Sequence, residues 1–143
     1  MKIAVESSVL ARVNKTGVDY YTRDLLRELV KIMPSDSFVL CYLKFLGRPE
    51  GDLEVSGHNV AIRRIKLLPG KIYNAFERYL TAIPFDWVTR VKADVYLYPN
   101  FIYWPLSFTK KAIVVVHDLG YIDQPDAVVA RHRAYLGKFV PYS

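Results

Sequence analysis

The segment Lys111-Ala112-Ile113-Val114-Val115-Val116-His117-Asp118 constrains this chain more than any other. Five consecutive apolar residues, four of them β-branched, predict a strand buried on both faces. Such strands belong to parallel sheets covered by helices. The run ends abruptly in an imidazole and a carboxylate. Open α/β sheets bind ligands in the crevice beyond the carboxyl ends of their strands. The sequence therefore puts a titratable pair where one is useful.

Other segments extend the pattern. Lys2-Ile3-Ala4-Val5 reads as a first strand, followed by a polar loop that ends at Lys15-Thr16-Gly17. Val18, Tyr21, Leu25, Leu29 and Ile32 then recur at helical spacing, with Leu26, Val30 and Met33 widening the stripe. Arg23, Asp24, Arg27, Glu28 and Lys31 take the opposite face. Thr16 is the expected N-cap, Asp19 at N3 satisfies early amides, and Pro34 stops the helix. Strands are expected at 37–43, 59–65 and 94–98, with a Gly-, Pro- and acid-containing loop over 47–57. Residues 72–90 read as helical with an interruption at Pro84, and 127–139 as a second amphipathic helix. The order of elements predicts an α/β fold: a Rossmann-like, mostly parallel sheet with helices on both faces.

A chain of 143 residues suffices for one domain with a core. Hydrophobic content of 52% and charged content of 24% describe a globular protein. The single cysteine, Cys41, excludes an internal disulfide and fits a reducing compartment. It lies within Phe38-Val39-Leu40-Cys41-Tyr42, the setting of a buried structural thiol. No segment approaches the roughly 20 apolar residues of a membrane helix, and no signal-peptide pattern opens the chain. The cytoplasm is the expected location. The net charge of +6 favours anionic partners. Helix one mixes both signs on its polar face, so nucleic acid is not expected. Weak attraction to the inner face of a membrane remains compatible.

Three constellations carry candidate chemistry. At Thr16-Gly17-Val18, free amides at a helix N-terminus and a glycine without Cβ admit a phosphate or sugar oxygen. One glycine falls short of the dinucleotide fingerprint, and turn geometry alone accounts for it equally well. His117 is suited to proton transfer or to hydrogen-bonding a hydroxyl, and Asp118 to orienting it or capping the next turn. Asn100, in Tyr98-Pro99-Asn100-Phe101, ends another strand and faces the same crevice unless it serves only a Pro-Asn turn. Histidines and cysteine show no metal-ligand spacing, and no nucleophile elbow or Walker loop is present.

The stretch Thr16-Gly17-Val18-Asp19-Tyr20-Tyr21-Thr22-Arg23-Asp24-Leu25-Leu26 resembles the "TGVERYTRELL" or "SGIGRYTRELL" opening of glycosyltransferase family 4. Asp94-Val95-Tyr96-Leu97-Tyr98-Pro99-Asn100 is similar to that family's "DVYHSPN" strand. Ala112 to Leu119, Pro125 and Arg133-Ala134-Tyr135-Leu136 resemble its "VVTIHDL…P…RRAYL" segment. The resemblance spans essentially the whole chain. Tyr20 replaces an arginine, and Asp19 the second glycine, of many members.

The resemblance implies one half of a GT-B architecture, the N-terminal, acceptor-side domain of a retaining, metal-independent glycosyltransferase. Its partners would be a nucleotide-sugar co-substrate and a glycan or lipid-linked acceptor, with no resident cofactor. The nucleotide-sugar would be held mainly by a C-terminal domain that is absent here, so this half alone is expected to be inactive. His117 would take the catalytic position near the reacting sugar, with Thr16, Gly17, Val18, Asn100 and Asp118 lining the substrate site. The alternative is a stand-alone, non-catalytic Rossmann-like module that binds a nucleotide or phosphosugar.

Overall fold

The computed structural model describes residues 1–45, 50–67, 83–101, 103–107 and 111–118, with single positions 122 and 137. At its centre lies β1, Lys2–Glu6. This strand pairs in parallel with β2 (Ser37–Phe45) on one side and β4 (Val95–Tyr98) on the other. Outside these lie β3 (Val60–Leu67), against β2, and β5 (Lys111–Val114), against β4. The order is β3-β2-β1-β4-β5, all parallel. After β3 the chain returns to the far side of β1 and begins β4. That reversal creates the switch point at which such sheets bind ligands.

Alternation along each strand sorts the core into two layers. Ile3, Val5, Phe38, Leu40, Tyr42 and Leu97 face one way, and α1 (Gly17–Ile32) covers them with Leu26 and Val30. Ala4, Val39, Cys41, Tyr96 and Tyr98 face the other way, beneath Phe85 of the short α2 (Phe85–Thr89). The sheet is thus covered on both faces, as the pattern of elements predicts. Full burial of a side chain such as Leu26 contributes about 2 kcal/mol.

The tyrosines act as amphipathic fillers. The Tyr96 hydroxyl accepts from the Ala93 amide at 3.1 Å and donates to the Val91 carbonyl at 2.9 Å. Tyr98 donates to the Trp104 carbonyl at 2.9 Å, and the Trp104 indole donates to the Ile83 carbonyl at 2.7 Å. Phe85 packs edge-on against Tyr98 at 5.5 Å. Residues 103–107 are thereby tied down onto α2. The Phe85 amide donates to the Pro105 carbonyl at 2.7 Å, and the Ser107 amide to Asp86 at 2.9 Å.

Two sequence expectations need correction. The strand predicted through Val116 ends at Val114, and it is not buried on both faces. Ile113 is 54% exposed and Val116 41%. Among the described residues β5 has a neighbour on one side only, so the apolar run here stands at the edge of the described sheet. Helix one is also rotated from its predicted face: Asp19, Thr22, Leu26 and Val30 are buried, while Tyr21 and Ile32 are exposed. Asp19 is held inward by its capping bonds to Thr16. The loop expected over 47–57 is loop throughout its described part, 50–57, and it sends Leu53 and Val55 into the core. Pro84 serves as the N-cap of α2. Residues 68–82, and the helix expected over 127–139 apart from position 137, lie outside the described residues.

Candidate functional site

The β1–α1 loop brings its own anchoring. Asp19 is fully buried and accepts from both the amide of Thr16, at 2.5 Å, and its hydroxyl, at 2.9 Å. Arg12 reaches the other carboxylate oxygen at 3.5 Å. A negative side chain thus sits against the positive end of the helix dipole. The expected ligand-binding groups of Thr16 are engaged in the cap. Gly17 opens the helix outside the left-handed region, and a Cβ built there would meet nothing within 4 Å. Neither turn geometry nor packing within the described fold demands glycine at this position. What the missing side chain leaves is open space above an exposed first turn, with half-buried Val18 beside it.

A second segment braces this loop. The Gly51 amide donates to the Ala11 carbonyl at 2.9 Å, and a Cβ on Gly51 would collide with the Arg12 carbonyl. Lys15 donates to the Asp52 carbonyl at 2.8 Å and pairs with Glu54. Arg23 bonds the Glu54 carboxylate at 3.1 Å, and Arg27 the Glu54 carbonyl at 2.7 Å. Buried Leu53 and Val55 fix the segment in the core.

His117 lies just past β5 and is half-buried. Its Nε2 is 2.8 Å from the Pro99 carbonyl oxygen. A carbonyl only accepts, so Nε2 carries the proton, and in neutral histidine Nδ1 is left as the acceptor. Two rings hold the imidazole in place. Tyr21 of α1 meets it edge-on at 4.8 Å, and Phe101 lies tilted against it at 5.1 Å. Tyr21 is one helical turn from Gly17, on the same side of α1. The Phe101 backbone adopts a left-handed φ of 57°, at a cost of roughly 1–2 kcal/mol for a residue with a Cβ. Its amide donates to the Val115 carbonyl at 2.9 Å, and Val115 donates to Tyr98 at 2.9 Å. This strained turn presents Asn100, half-buried, between Pro99 and Phe101. The first turn of α1, the Pro99–Phe101 turn and His117 therefore gather at the carboxyl edge of the sheet. Asp118 follows His117 and is exposed.

Sequence reasoning missed two members of this edge. Tyr21 was placed in the buried stripe, yet it is the ring that ties α1 to His117. Glu6 was left out of the first strand, whose last residue it is. The signal was available: Glu6 follows the apolar run of β1 just as His117 follows that of β5. Burial pushes the Glu6 carboxyl above its ordinary range, against the Ser8 hydrogen bonds that lower it. Burial also pushes the Cys41 thiol up to about 12 and raises the Tyr98 phenol. Both are unreactive fillers at neutral pH.

Among the described residues no group of His, Cys, Asp and Glu could hold a metal ion, and no helix is long and apolar enough to cross a membrane. In comparisons with known proteins, no family model, no curated protein and no solved structure matches this chain.

Proposed function

We propose that this chain is the acceptor-binding half of a retaining glycosyltransferase, one that moves a sugar from a nucleotide-sugar to a glycan or lipid-linked acceptor. The observation that carries the reading is the bond between His117 and Pro99, with Tyr21 against the same imidazole. Three separate segments resemble glycosyltransferase motifs, and these contacts join their described ends, Tyr21, Pro99 and His117, at the carboxyl edge of the sheet. Aromatic walls with a few polar groups suit a sugar, whose faces are apolar and whose rim is hydroxylated. His117 offers Nδ1 to a sugar hydroxyl, Asn100 offers an amide, and open space over Gly17 admits close approach. Transfer itself would need the donor's phosphates to be stabilised by a second domain.

The Asp19 carboxylate disfavours the alternative of a nucleotide-binding module. It occupies the N-cap amide that a phosphate would use and repels an anion there. Calorimetric titration of the chain with UDP, GDP and simple methyl glycosides separates the readings. Weak glycoside binding without tight nucleotide binding supports the acceptor half. Tight nucleotide binding without a glycoside response contradicts it.

A further inference from the structure

Glu6 ends the central strand, at the switch point itself, and pairs in register with Cys41. By alternation it lies on the face of Ala4, Cys41 and Tyr98. The Ser8 amide donates to its Oε1 at 3.0 Å. Among the described residues it forms no ion pair: Arg12, the cation that acts on it electrostatically, is bonded to Asp19. A carboxylate offers about four acceptor positions, and Ser8 supplies the hydrogen bonds that bear on this one. A carboxyl group half-buried in the middle of a sheet, without a cation, costs stability. An apolar residue would serve the strand better. Such a group persists where a ligand uses it.

We propose that Glu6 is a ligand-binding residue of this crevice, exchanging a hydrogen bond with a hydroxyl of the bound sugar across the switch point from His117. The inference rests on the sugar-site reading and adds the residue that recognises a hydroxyl donor on the β1 side. Its protonation follows the pH, so it accepts from the hydroxyl when ionised and donates to it when neutral.

Saturation-transfer NMR on the whole chain, with methyl α-glucoside, methyl α-galactoside and methyl α-mannoside as probes, tests it. Wild type is compared with Glu6→Gln, Glu6→Leu and His117→Ala, and thermal midpoints are recorded alongside. Glu6→Leu is expected to melt at or above the wild-type temperature at neutral pH. Both Glu6 variants are expected to bind the responsive glycoside about tenfold more weakly. If His117→Ala loses the signal while both Glu6 variants keep it, the role of Glu6 is overturned and the sugar-site reading stands. If both Glu6 variants melt well below wild type as they lose binding, Glu6 is structural and the proposal fails. If wild type responds to none of the three glycosides, the sugar-site reading fails and this inference with it.

Discussion

The His117 imidazole is fastened to the Pro99 carbonyl at 2.8 Å, and this bond joins the end of β5 to the turn after β4. It fixes the tautomer as well as the position. Nitrogen NMR of the imidazole in neutral solution is expected to find the proton on Nε2. A proton on Nδ1 would mean that the bond is absent. His117→Ala removes this bond and two ring contacts from a half-buried site, and should cost about 1–2 kcal/mol in urea unfolding. The fold should survive, and on the proposed function turnover of a complete transferase should fall sharply.

Gly17→Ala separates folding from function. The added methyl group meets no atom, and the backbone is not left-handed. Stability should stay within about 1 kcal/mol of wild type, on the stabilising side. Glycoside binding should weaken, because the methyl group fills the space left for a ligand. A destabilised variant would show that glycine serves the fold.

Asp19→Ala takes the opposite course. The buried carboxylate anchors the Thr16 amide and hydroxyl at the N-terminus of α1. Its loss removes their shared carboxylate acceptor and should cost about 2 kcal/mol in denaturant unfolding. A change below about 0.5 kcal/mol would mean that the capping box contributes little.

Much of this site was legible in the sequence, and the misses have physical causes. Capping chemistry placed Thr16 and Asp19 correctly. The rule that ligands sit beyond strand ends placed His117 and Asn100 at one edge. Hydrophobic periodicity found α1 and the burial of Leu26 and Val30, but it missed buried Asp19 and Thr22 and exposed Tyr21, because spacing counts only apolar residues and cannot register a polar side chain drawn in by a cap. It failed for β5 because a run of valines looks the same whether its strand is central or at the edge. Gly51 was invisible for a different reason: its need to be glycine comes from the Arg12 carbonyl, which lies far away in sequence.

Glu6 sets a pH dependence whose sign is fixed. Burial holds its carboxyl above the ordinary 4.5, so the folded chain binds that proton more tightly than the unfolded chain. Its contribution to stability therefore falls as pH rises from 4.5 through the raised folded value, then levels off. Urea unfolding of wild type and Glu6→Gln from about pH 4 to about pH 8 isolates this contribution. Wild type should lose stability relative to the variant as pH rises. A flat or opposite difference contradicts the burial of the charge.

Cys41 gives a simple check on the core. With its thiol pushed up to about 12 by burial, it should resist a thiol reagent at neutral pH until denaturant is added. Rapid labelling of the folded chain would contradict its place under the sheet.

The central claim is that the first turn of α1, the Pro99–Phe101 turn and His117 form one sugar-binding crevice. Backbone shift mapping of the labelled chain during titration with methyl glycosides tests it most directly. Gly17, Val18, Asn100 and His117 should move together along one saturable curve, and His117→Ala should abolish the response at all of them. Shifts scattered away from the carboxyl edge of the sheet, or none at these four residues, would contradict it.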